Sequence, residues 1–447
     1  MILTLLLLLS VLFLSIEAQK HFKIPSPITL ILLSYLFYFA FPHMAMFSEE
    51  EFAHLVLFLI PILIASDSLQ LKLDDLKKNG LSLFYLAVVA VVLSVVFGFI
   101  VANTLFAEYH LSVGAIIALF AMVLATDPVS VVSVFSSFKV PHKLKILAEG
   151  ESLFNDATAL IIFSFIALPM INGIEITALD IVVVSFKVVV FSILIGFIVG
   201  ILGVALMKLT QDAMSELVLI IFTGYLSFEI AEYFHMAGLL AVIISIITLN
   251  HITEKSLKDT DRRIRKSKRI LDKANKSRKI FSTKFISGIT NKLNSDITNI
   301  ERHRQNLKYI AVLALLANAL LFISMASIVH FDLLLKYKTE ILWMFGVTTI
   351  IRALMMVKFA FVSNRVKKMT NIGVRWWSVL LFSGIKGGLS IVMLRMLPYD
   401  FAHKELFDAI VVGVILLSTF TYALTLVIII TLNKKVFREE YDAEYHH

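Results

Sequence analysis

ALFAMVLATDPVSVVSV, residues Ala118–Val134, reads as an apolar helix interrupted in its middle by Ala125-Thr126-Asp127-Pro128. Proline lacks a backbone donor and disfavours helix at the residue before it, so the helix is expected to open at Asp127. Backbone opened within a lipid-embedded run is tolerated only against packed protein or a polar cavity. The rival reading is a proline kink whose Asp127 is satisfied locally. What decides between them is whether other polar groups gather at the same depth.

The surrounding composition sets that depth inside a membrane. Of 447 residues, 59% are apolar and 17% charged, with a mean hydropathy of +0.88. Soluble domains run nearer about 45 to 50% apolar and about 25% charged, so a water-soluble enzyme is excluded and an all-α integral membrane protein expected. Cysteine is absent, which removes disulfides, thiolate metal sites and a cysteine nucleophile. Apolar runs of spanning length fall near 1–17, 26–43, 52–66, 81–105, 113–135, 141–171, 180–208, 213–233, 236–251, 309–329, 339–363, 376–397 and 407–432, giving about 13 transmembrane helices. Ser15-Ile16-Glu17-Ala18 resembles a signal-peptide cleavage site, but no basic region precedes the first run, so residues 1–17 are read as a retained helix.

Charge organises the rest. The net charge is +8, yet residues 253–308 alone hold 17 basic and 6 acidic residues, so the remainder is net acidic and nucleic-acid binding loses its support. The expected organisation is residues 1–252 with segments one to nine, a basic cytoplasmic loop at 253–308, residues 309–433 with segments ten to thirteen, and a short cytoplasmic tail at 434–447. With the N-terminus outside, 33 of the 41 Lys and Arg fall on the inside and only Lys336, Lys338 and Lys404 on the outside. Within the basic stretch, Phe285, Ile289, Leu293 and Ile297 recur every four residues, the pattern of an amphipathic helix on anionic lipid; a solvated linker is the alternative.

Five basic residues remain inside segments: Lys187, Arg352, Lys358, Lys386 and Arg395. Lys358 and Arg395 lie near segment ends and can snorkel, whereas Arg352 and Lys386 sit deeper and need anions. Lys187 and Glu216 are read as a helix-packing pair or a lipid-edge snorkel rather than a pathway.

In the sixth segment, Glu151-Ser152-Leu153-Phe154-Asn155-Asp156 sets Ser152 four residues from Asp156 and Glu151 four from Asn155, on two adjoining stripes. Counted from Pro141, Asp156 lies roughly 22 Å along a helix about 45 Å long, at mid-membrane. A carboxylate, an amide and a hydroxyl gathered there suit a small hard cation or a proton; a polar stripe that merely joins helices is the competing reading. The twelfth segment contains Ser383-Gly384-Ile385-Lys386-Gly387-Gly388, where glycine permits unwinding and Lys386 can neutralise facing carbonyl ends. Segments five and twelve are seven apart and so cross in opposite directions, the signature of an inverted repeat of segments 1–6 and 8–13 with a broken helix in each half.

At these residues the chain resembles the monovalent cation:proton antiporter family of sodium/proton antiporters and exchangers. The resemblance rests on Ala125-Thr126-Asp127-Pro128-Val129 and on Gly150-Glu151-Ser152-Leu153-Phe154-Asn155-Asp156-Ala157, with weaker agreement at Arg352 and at Gly384-Ile385-Lys386-Gly387. It implies that Asp156 binds cation and proton in competition, that Thr126, Asp127 and Ser152 complete a sodium site, and that Glu151 and Arg352 pair. Asn155 stands where electrogenic relatives carry a second acid, which implies electroneutral exchange. The family usually has Arg where Lys386 stands, so the bidentate fork is missing there. A homodimer in the plasma membrane is also implied.

The expected function is therefore sodium or lithium exchanged for protons, with potassium/proton exchange or a cation channel or uniporter as alternatives. A channel is disfavoured because it needs rings of ligands from several subunits. No HExxH, GxSxG or GxxxxGK[ST] motif occurs, so neither an intramembrane enzyme nor a primary pump is expected, and no cofactor beyond the transported ions.

Overall fold

The architecture is that of a computed structural model, which describes residues 2–22, 26–40, 49–136, 138–210, 212–276, 283–328, 331–398 and 400–445. Among them the regular structure is entirely helical. The first apolar runs form α1 (Ile2–Phe22), α2 (Ser26–Ala40) and α3 (Glu49–Gln70). The fourth is longer than its apolar core: the amphipathic α4 (Leu73–Phe84) carries Asp74 and Asp75 in its first turn, where they complement the helix dipole, and passes through one π turn into α5 (Ala90–Leu105). The fifth run is split into α6 (Val113–Leu124), whose first turn is capped by Ser112, and α7 (Pro128–Ser136). The sixth comprises α8 (His142–Ile162), a π turn and α9 (Leu168–Ile171).

Then follow α10 (Ala178–Met207), α11 (Ala213–Tyr233), α12 (Gly238–Lys276), α13 (Thr283–Ile328), the short α14 (Phe331–Lys336) and α15 (Lys338–Ser363). The twelfth run is split into α16 (Val374–Phe382) and α17 (Gly388–Arg395), and the chain closes with α18 (Lys404–Leu432) and α19 (Lys434–Tyr445). Among the described residues, eight helical stretches are long and apolar enough to cross a membrane: 73–105, 142–171, 178–207, 213–233, 238–272, 287–322, 338–363 and 404–432. Pro27–Phe37, Leu57–Gln70 and Val113–Leu124 are shorter apolar helices.

The chain forms two compact units. One comprises Met1–Leu63, Asp74–Val190 and Leu315–His447 and holds every candidate site residue. In it α6 packs on α5, α8, α17 and α18, so the helix bearing the first break is enclosed on several sides.

The other unit, Ile64–Leu73 with Phe191–Ala314, changes the reading of the basic stretch. Residues 253–276 and 283–308 are helical, belonging to α12 and α13, with 277–282 outside the described residues. At 1.5 Å per residue the 39 residues of α12 span about 58 Å, well beyond a bilayer core of about 30 Å. The two extensions are joined: Arg263 donates to both carboxylate oxygens of Asp296, at 3.5 and 3.2 Å. Ile264 and Leu293 are buried, so the apolar face expected on lipid is at least partly turned into protein; the side chain of Phe285 lies outside the described residues. Glu216, in the first turn of α11, takes Arg302 Nε at 2.7 Å and His303 Nδ1 at 2.9 Å. Of the two readings for Lys187 and Glu216, the helix-packing pair is replaced by these partners of Glu216, and Lys187 is exposed on α10. Arg302 and His303 were missed because their sequence neighbours are solvated charges and nothing local marks them as buried partners.

Candidate functional site

The two broken helices meet at their breaks. The backbone N–H of Asp127 donates to the Ile385 carbonyl at 2.7 Å, so each unwound segment satisfies a backbone group of the other. At Gly387 an added Cβ would collide with the Asp127 Cβ, and at Gly384 with the Arg352 guanidinium. These glycines are therefore required for close approach, a stronger reason than the weakening of helix expected from sequence.

Pro128 opens α7, and Asp127 is its N-cap. The Asp127 carboxylate accepts from Ser130 N at 3.2 Å and from the Ser130 hydroxyl, a cap that uses the three-residue spacing of Asp127-Pro128-Val129-Ser130. The local satisfaction entertained as the rival reading thus coexists with the break. Ser130 was overlooked, although this spacing is a legible capping signal.

α8 supplies the other wall. Thr126 N donates to Asp156 Oδ1 at 2.9 Å, and the Thr126 and Ser152 hydroxyls are 2.8 Å apart. Asn155 Nδ2 donates to the Leu124 carbonyl at 3.0 Å and to Thr126 Oγ1 at 3.2 Å. With its amide nitrogen so committed, Asn155 Oδ1 is buried and makes no hydrogen bond. Thr126, Asp127, Ser152, Asn155 and Asp156 are all buried, Asp156 to 4% exposure. A hard cation in this cluster has hydroxyl, amide, carbonyl and carboxylate oxygens within reach, the donor set that suits an alkali ion. Among the described residues no three His, Asp or Glu side chains converge as a resident metal site.

The two buried cations divide the carbonyl ends between them. Arg352 on α15 forks onto Glu151, Nη1 to Oε1 at 2.9 Å and Nη2 to Oε2 at 3.0 Å. Its Nε reaches the Leu381 carbonyl and its Nη2 the Leu380 carbonyl, each at 2.9 Å, at the C-terminal end of α16. Lys386 Nζ lies 3.4 Å from the Leu124 carbonyl, at the C-terminal end of α6. Sequence reasoning gave the carbonyl ends to Lys386; Arg352, from α15, takes those of α16, the broken span that contains Lys386. A small cavity lined by Ser94, Leu124, Glu151, Asn155 and Arg352 adjoins the group.

Two discontinuous helices thus meet at their breaks beside a buried acid on α8, within a polytopic helical membrane fold. The family model described as "Sodium/hydrogen exchanger, transmembrane" matches residues 5–268, and the chain belongs to that family. It is 27% identical over 380 residues to the Na(+)/H(+) antiporter NhaG of Bacillus atrophaeus, covering 84% of this chain and 63% of that one. With the Na(+)/H(+) antiporter NhaH of Halobacillus aidingensis it shares 30% identity over 203 residues, 44% of this chain and 49% of the relative. The matches thus span between about half and two thirds of these curated relatives. The fold is similar to that of the sodium proton antiporter MjNhaP1 from Methanocaldococcus jannaschii, with a TM-score of 0.68 and 14% identity over 98% of both chains. The protein is accordingly a multi-pass membrane protein of this family.

Proposed function

We propose that the protein is a secondary antiporter exchanging sodium or lithium for protons across the plasma membrane by alternating access. The observation that carries this reading is Asp156, buried at the crossing of the broken helices with one carboxylate oxygen on Thr126 N and with the Ser152 and Asn155 oxygens close by. A bare carboxylate in dry protein is strongly penalised, so the form of the site that reorients carries either a cation or a proton. Competition for one carboxylate then produces exchange, and no bond chemistry is required.

Thr126, Ser152 and Asn155 are assigned as cation ligands beside Asp156, with Asp127 holding the scaffold through its cap on α7 and adding negative charge nearby. Because Asn155 cannot titrate, a single titrating carboxylate at Asp156 trades one proton for one sodium. The chain's likeness to Na(+)/H(+) antiporters favours sodium over potassium.

The test is proton movement in sealed proteoliposomes on addition of sodium, lithium or potassium in turn. Sodium and lithium should each collapse an imposed pH gradient, and potassium should not; no response to any of them refutes the reading. With potassium inert, the sodium-driven rate should be indifferent to a potential set with potassium and valinomycin. A several-fold rise with potential would refute one-for-one exchange while sparing the antiport itself.

Orientation follows from the 33 to 3 distribution of Lys and Arg. The chain has no native cysteine, so single cysteines at Glu175 and Ala443 report on one site each. In intact cells an impermeant maleimide should label only the first. Labelling at Ala443 alone would invert the topology.

A further inference from the structure

α8, which carries Asp156, begins without a cap of its own. Its N-cap is Pro141, which offers no side-chain acceptor, and the first bond within the helix is Lys145 N to Pro141 O at 3.1 Å. The amides of His142, Lys143 and Leu144 therefore have no intrahelical partner. One of them is taken from the far end of the chain: His142 N donates to Glu444 Oε2 of α19 at 2.6 Å.

The same helix holds a second element of the site. Trp376, in the first turn of α16, donates Nε1–H to Glu440 Oε2 at 2.9 Å. Between these two contacts, Lys139 Nζ lies 3.5 Å from Asp442 and 5.4 Å from the centre of the Tyr441 ring. Phe437 is 0% exposed and anchors α19 by its apolar side chain, so the polar ties ride on a docked helix rather than a loose tail. The His142 ring adds a tie to Asp75 of α4 at 3.2 Å. All of these residues belong to the unit that holds the site.

We infer that α19 is a positioning helix for the exchange site: Glu444 sets the axial position of α8, while Glu440, through Trp376, sets the start of α16. The inference rests on the antiporter reading above. From His142 to Asp156 is roughly 21 Å of helix, and a closely packed helix transmits an axial displacement from one end to the other. Ion-binding constellations tolerate misplacement of only about 0.5 Å, so a slack first turn is felt at Asp156. None of the α19 residues touches the cation. Their effect is on the geometry in which Thr126 N and the Ser152 hydroxyl meet the site.

The experiment compares Glu444→Ala with Glu444→Gln in the full-length protein, because a glutamine oxygen still accepts from His142 N. Glu444→Ala should raise the apparent sodium KM about fivefold, the effect of losing a helix cap of ordinary strength, with folded yield and maximal rate near wild type. Glu444→Gln should restore the wild-type KM. Hydrogen exchange at the His142 amide should be faster in the alanine variant and normal in the glutamine variant. A KM unchanged by Glu444→Ala overturns the inference, as does an equal shift in both variants, which would make the effect one of charge. Wild-type vesicles that exchange no cation would instead remove the functional reading on which it rests.

Discussion

Asp156→Asn should abolish exchange, to the level of protein-free vesicles, while the protein still folds. Asparagine keeps the size of the side chain and an oxygen able to accept from Thr126 N, so the contact that joins the sixth span to the first break survives. What is lost is the charge that a proton or a cation neutralises. Two measurements on purified protein distinguish this from misfolding. Sodium should protect the wild type against thermal unfolding, by about 2.7 kcal/mol at a hundredfold excess over Kd, and should give the variant no protection. The thermal midpoint without sodium should change little. A purified Asp156→Asn protein that still exchanges sodium for protons would show that another group carries the ions.

The second large effect concerns Glu151 and Arg352. Breaking a buried pair on one side leaves an unpaired charge and commonly costs about 3 to 5 kcal/mol. The geometry adds an asymmetry, because Arg352 also holds the Leu380 and Leu381 carbonyls at the end of α16. Arg352→Ala strands a carboxylate and two carbonyls, whereas Glu151→Ala leaves Arg352 with both carbonyls still bound. Folded yield and thermal stability in detergent should therefore fall further for Arg352→Ala than for Glu151→Ala. The double variant should recover part of the loss, with a coupling of up to about 3 kcal/mol. Strictly additive losses would mean that the contact contributes nothing beyond its parts.

Why some of this was legible in advance can be traced to particular residues. Pro128 and the Gly384, Gly387 and Gly388 run announce breaks because their effect on the backbone is local. Glu151 to Asp156 announce a polar group at mid-depth because helical periodicity converts spacing into position. The four-residue period of Phe285, Ile289, Leu293 and Ile297 makes helix legible within the basic stretch, whereas the joining of its two helices through Arg263 and Asp296, 33 residues apart in sequence, is not. Glu444 at the N-terminus of α8 and Ile385 O on Asp127 N were equally unforeseeable, since backbone groups carry no identity in a sequence.

The sequence by itself determined that this is a helical membrane protein, where its two helices break and which acid lies at mid-depth, because hydropathy, proline, glycine and helical period act over a few residues. Only the tertiary structure decided which breaks face each other, that Arg352 rather than Lys386 holds the carbonyls of α16, and that α19 reaches the start of the sixth span. Each of these is a contact between distant segments, set by how whole helices pack and by the cost of leaving a buried donor or acceptor unpaired.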